Sequence, residues 1–129
     1  MSLKDHQVRA TIAVTDIERA KAFYEGTLGL TVIDNGPDAV RLYPCGGGSV
    51  LQVYTSPQNA GTSTATVASW SVPAFDEQIQ ELLVAGVRLE RYEGMPSDEN
   101  GVHAFGTHKV AWFLDPDGNT IAIDNGGAM

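Results

Sequence analysis

Catalysis needs side chains that can ligate, attack or move protons, and this sequence holds few of them. It has three histidines and one cysteine. His103 and His108 share the glycine-containing segment 101–109, and His6 lies far from both. The acids that could join them, Glu93, Asp98 and Glu99, fall in a polar loop, where carboxylates are usually solvated. Cys45, in Pro44-Cys45-Gly46, has no evident base beside it to make it a nucleophile. Alone it forms neither an internal disulfide nor a cysteine zinc site. No paired carboxylates and no nucleophile–histidine–acid arrangement stand out.

The chemistry the chain does offer is aromatic. Residues 110–124 read V-A-W-F-L-D-P-D-G-N-T-I-A-I-D. Asp115-Pro116-Asp117-Gly118-Asn119 is dense turn chemistry between two β-prone runs, which predicts a hairpin. Alternation puts Phe113, Ile121 and Ile123 on a core face. The opposite face carries Trp112 beside small residues, Thr120 and Ala122, as the wall of a cavity would.

The elements that position these residues can be read in order. Residues 6–14 alternate as a strand, with Ala10, Ile12 and Val14 facing a helix-covered core and Arg9, Thr11 and Ala13 facing away. Asp16 is a natural N-cap, with Glu18 in the first turn of an amphipathic helix that Gly26 and Gly29 punctuate. Residues 30–33, 39–43 and 49–54 read as three short strands, with Asn35-Gly36-Pro37-Asp38 and Cys45-Gly46-Gly47-Gly48 as turns. The small, polar stretch 56–63 reads as a linker. After it come a strand at 64–72 with Trp70 on the core side, a helix at 74–85, a strand at 87–92, a loop at 93–100 and the hairpin.

The pattern repeats. Val72 stands before the second helix as Val14 does before the first, 58 residues on, and Gly86 follows Gly29 by 57. The reading is an α+β chain of two tandem β-α-β-β-β modules, residues 1–57 and 64–129, joined by a linker at 58–63. A half of this size buries little surface alone, so the modules share one domain.

Charge and composition bound the partners. The net charge of −8 lacks the basic footprint that nucleic acid requires. It would draw cationic ligands at long range, and it also serves solubility. No apolar run approaches the roughly 18 residues of a membrane helix. The polar N-terminus predicts no signal peptide, and cytoplasmic localisation is the expectation.

Residues 14–30 (V-T-D-I-E-R-A-K-A-F-Y-E-G-T-L-G-L) and 111–123 (A-W-F-L-D-P-D-G-N-T-I-A-I) resemble the glyoxalase/bleomycin resistance protein/dioxygenase superfamily, also called vicinal oxygen chelate. That resemblance spans essentially the whole chain. It implies curved mixed sheets around a shared cleft, usually in a homodimer. Its enzymes generally hold a divalent metal with His and Glu, as a Lewis acid toward vicinal substrate oxygens. The corresponding positions here are Arg9, Gln52, Val67 and Ala122, none of them a good ligand, and Arg9 is a permanent cation.

The resemblance thus implies the family's other use, a metal-independent protein that sequesters a small molecule, with no cofactor. The implied ligand set is Arg9, Thr11, Gln52, Tyr54, Val67, Ser69, Trp112 and Ala122, with His103 and Phe105 on a loop closing over the cleft. Tyr54 and Trp112 would stack a planar or aromatic ligand, and Arg9 would grip an anionic oxygen. Two alternatives stay open: a metal-dependent lyase, isomerase or dioxygenase, and a partner-binding module whose cleft its own side chains fill.

Overall fold

The computed structural model describes residues 2–33 and 39–126. In β1 (Ala10–Val14), Ile12 and Val14 are buried while Thr11 is exposed, as alternation requires. Asp16 then caps α1 (Ile17–Lys21), its Oδ1 accepting the Glu18 N–H at 2.9 Å and the Arg19 N–H at 3.4 Å. The helix widens into a π-helical turn, Ala22–Thr27, closed by the Leu28 N–H on the Phe23 carbonyl at 2.9 Å. Gly29, at φ 76°, reverses the chain where an L side chain would be strained.

β2 (Val40–Pro44) and β3 (Val50–Thr55) complete a three-stranded sheet ordered β1-β3-β2, with β1 and β3 parallel and β2 and β3 antiparallel. β4 (Thr66–Ser71) leads into α2 (Phe75–Val84), which buries Phe75, Ile79 and Leu82. β5 (His103–Phe105), β6 (His108–Leu114) and β7 (Thr120–Asp124) give a second sheet ordered β4-β7-β6-β5. Here β4 and β7 are parallel and the other pairs antiparallel. The parallel-then-antiparallel arrangement of the first sheet therefore recurs in the second, and β1 lies beside β4. The α+β fold of two modules stands.

Three segments differ from the sequence expectation. Residues 30–33 form only an isolated bridge, Ile33 to Leu42, because Leu30 and Val32 turn onto the core instead of pairing. Residues 87–92 likewise give only the bridge Leu89 to Phe113. Beyond it the Arg91 side chain reaches forward to the following loop. His103–Phe105, expected in a closing loop, is a strand paired with 108–110. The expected turn at 35–38 lies outside the described residues.

One core serves both modules. Ile12, Val14 and Val53 from the first sheet and Phe113, Ile121 and Ile123 from the second belong to the same buried cluster. Phe23 bridges them, 5.1 Å from Tyr24 and 6.2 Å from Phe113 between ring centres. Trp70 packs against this cluster, as its parity predicts. The outer faces of the two sheets point away from it.

The Asp115–Asn119 turn does more than close a hairpin. The Tyr24 hydroxyl donates to Asp115 at 2.8 Å, and Thr15 and Arg19 donate to Asp117 at 2.6 and 2.7 Å. The Asn119 amide donates to the Ala13 carbonyl at 2.8 Å. Gly61, in the linker, gives its N–H to Asn119 at 3.1 Å. A Cβ on Gly61 would stand 2.0 Å from the Asp117 carbonyl, so only glycine permits this approach. The turn docks both the first module and the linker onto the second module.

Candidate functional site

The outer face of the second sheet carries the site. Register places Trp112 opposite Ala122, and Ala122 opposite Ser69, in one row across β6, β7 and β4. The next row is His103, Val110, Asp124 and Ser71. Asp124 is buried there and accepts the Ser71 hydroxyl at 2.9 Å. Beyond Trp112, a β-bulge between Thr66 and Ala68 breaks the alternation of β4. Thr66 thereby pairs with Thr120 and shares the face of Trp112. Val67, expected in the cleft, is turned to pack against the core. One extra residue has exchanged their roles.

The Trp112 indole N–H donates to the Thr66 hydroxyl at 3.2 Å, which fixes the plane of the ring. Above it opens a cavity of about 670 Å³ whose lining includes Trp112, Tyr92, Met95, Phe105, Thr66 and Thr120. Tyr92 stands edge-on to Trp112 with ring centres 5.3 Å apart. Phe105 is half exposed at the mouth. Burial first, and then the Glu90 carboxylate, raises the pKa of the Tyr92 hydroxyl above its ordinary value.

His103 was expected on a covering loop; it lies instead fully buried beneath the cavity, its ring 5.3 Å from Trp112 and 6.1 Å from Tyr92. Its Nδ1 faces the Pro96 carbonyl at 3.0 Å and its Nε2 the Glu90 carbonyl at 3.4 Å. The ring nitrogen that carries the proton donates to one of these carbonyls, and Nδ1 at the shorter distance ties down the loop that carries Tyr92 and Met95. Arg91 holds the same loop from outside, donating to the Ser97 hydroxyl at 3.1 Å, to the Asp98 carbonyl at 3.0 Å and to the Glu99 carbonyl.

The first-module candidates lie elsewhere. Arg9, exposed, donates to the Gln52 side-chain carbonyl at 3.0 Å on the outer face of the first sheet, where Thr11 pairs with Gln52. Tyr54 is half-buried in the same strand. None of Arg9, Thr11, Gln52 and Tyr54 lines the 670 Å³ cavity. The structure thus brings Trp112 and Phe105 together with Thr66, Tyr92 and Met95, and groups Arg9 with Gln52 separately. Tyr92 and Met95 escaped the sequence reading: Tyr92 ends the expected strand 87–92, and Met95, a large apolar residue in the polar loop 93–100, was the available signal. Thr66 gave no signal, since a bulge leaves the sequence pattern unchanged.

The residues at the family's metal positions do not fit a metal. Arg9 brings a guanidinium already bonded to Gln52, Val67 faces the core, and Ala122 has no donor. Among the described residues, no three His, Cys, Asp or Glu side chains are grouped to share an ion. A further cavity of about 410 Å³ between α2 and the 96–104 segment contains charged groups that are already engaged. Lys109 is paired with Asp76 at 3.2 Å, and the Asp98 carboxylate accepts the Asn100 and Val102 N–H groups.

Solved structures share this architecture. A glyoxalase/bleomycin resistance protein from Catenulispora acidiphila superposes with a TM-score of 0.67 at 23% identity, over 92% of this chain and 96% of that one. The fosfomycin resistance protein FosX from Mesorhizobium loti gives 0.63 at 15% identity, over 95% and 93%. A lactoylglutathione lyase from Agrobacterium tumefaciens gives 0.62 at 16% identity, over 92% of each. No curated protein sequence matches significantly. The family model of the glyoxalase/bleomycin resistance protein/dioxygenase superfamily matches residues 6–123, nearly the whole chain, and the protein belongs to that superfamily.

Proposed function

We propose that this protein is a metal-independent binding protein that sequesters a planar or aromatic small molecule against Trp112. The observation that carries this reading is the indole itself, oriented by Thr66 and flanked by Tyr92 and Phe105 around an accessible cavity. Ring faces held in this way suit stacking, which requires neither proton transfer nor a Lewis acid. The mismatch of Arg9, Val67 and Ala122 with metal ligation supports the same reading. Among the neighbours, the resistance proteins are the relevant analogy and the lyase is the less relevant one.

The cavity is open-sided, and the Arg9–Gln52 pair faces outward on the other module. Both suit a homodimer in which a second copy narrows the opening. Incubation with Zn, Ni, Mn and Fe(II), followed by elemental analysis and thermal melting, tests the metal claim. No stoichiometric metal and no rise in melting temperature is the expected result. One ion per chain with a raised melting temperature would return the protein to the enzymes of its superfamily.

A further inference from the structure

We infer that the ligand is an uncharged planar ring system with a carbonyl-type acceptor on one edge, and that Thr66 is the residue that reads this acceptor. The inference rests on the binding reading above and narrows its ligand class.

The hydroxyl of Thr66 accepts the Trp112 indole proton at 3.2 Å. In doing so it uses a lone pair and keeps its own proton to donate. That proton is directed away from Trp112, and the bulge has turned Thr66 into the cavity that Trp112 walls. A ring stacked on the indole therefore meets a hydrogen-bond donor at its edge. A ligand lacking an acceptor there would strip water from the hydroxyl without replacing the bond.

Charge decides which acceptor. Among the described residues, no Lys, Arg, Asp or Glu lines this cavity, and His108 is the one basic side chain in its lining. A carboxylate or phosphate would lose hydration with no permanent cation to meet it. The Tyr92 hydroxyl shows the same bias, since burial and Glu90 already disfavour a negative charge on that wall. A fixed cation has ring faces available, but no carboxylate in the lining to pair with, and it leaves the Thr66 donor unanswered. The overall charge of −8 acts at long range and is screened over roughly 8 Å at physiological salt, so the lining governs at contact.

Equilibrium dialysis with four ring-matched probes tests this: acridone, anthracene, anthracene-9-carboxylate and N-methylacridinium. Acridone is expected to bind tightest. Thr66→Val should weaken acridone roughly tenfold more than it weakens anthracene, which loses only the orientation of the indole, while Thr66→Ser, which keeps the hydroxyl, should retain acridone. Tightest binding by the anion or the cation overturns the inference and leaves the binding reading intact. So does an equal effect of Thr66→Val on acridone and anthracene. Failure of all four probes to bind overturns the binding reading itself, and the inference with it.

Discussion

The Tyr24 hydroxyl, from the first module, donates to the Asp115 carboxylate of the second at 2.8 Å, and both residues are buried. Asp115 also accepts the Asp117 and Asn119 N–H groups and the Asn119 amide. The bond therefore joins the first helix to the turn that organises the second module. Tyr24→Phe keeps the packing and removes one donor. Urea unfolding should show a loss of about 1–3 kcal/mol, the cost of leaving a charged buried acceptor short of a partner. An unchanged midpoint would mean that the turn is held by its internal bonds alone.

Alkaline pH should weaken the fold. Burial and the Asp115 charge raise the pKa of Tyr24 far above the ordinary range, and burial with Glu25 pushes Tyr43 up to about 12. Above about pH 10 the unfolded chain loses tyrosine protons that the folded chain retains, so stability falls as pH rises. For Tyr43 the loss spans roughly pH 10 to its folded value of about 12. Tyr43→Phe should flatten part of that slope in pH-dependent denaturation curves.

The bulge in β4 sets different demands on two neighbours. Val67 packs on the core and Thr66 faces the cavity. Val67→Ala should cost about 1 kcal/mol in chemical denaturation. Thr66→Val should change stability by less than roughly half that. A reversal of this order would show that β4 alternates without interruption.

Gly61 and Gly26 give a paired control. Gly61→Ala would drive a Cβ to within 2.0 Å of the Asp117 carbonyl at a φ of 64°. It should lower stability by about 2 kcal/mol or more and release the linker from the turn. Gly26 has nothing within 4 Å of a Cβ and sits in helical backbone. Gly26→Ala should be neutral, or stabilising by a few tenths of a kcal/mol.

Arg91 should act locally. Arg91→Met removes the three donors that clip the 97–99 segment. Faster amide exchange is expected in the loop that carries Tyr92 and Met95, with the core strands unchanged. Equal acceleration in both would make Arg91 a residue of global stability.

Much of this was legible because it depends on local pattern. Asp16 caps a helix, Gly29 and Gly86 follow helices, and alternation in β6 and β7 correctly put Trp112 and Ala122 on one face. Long-range pairing was not legible. Leu89 has the alternation of a strand residue, yet it makes only an isolated bridge to Phe113, and Arg91 beyond it bonds the next loop. Val67 and Thr66 exchanged faces through a bulge that no composition marks. Arg9 and Trp112 have matching parity in their modules, but the shared core turns their faces outward, so parity alone did not place them in one cavity.

The central claim is that ligand binding at Trp112 needs no metal. Equilibrium dialysis of acridone with chelator-treated protein, beside Trp112→Ala, tests it most directly. Saturable binding that survives chelation and is lost in Trp112→Ala is the expected result. Binding that vanishes on chelation and returns with added metal would contradict the account.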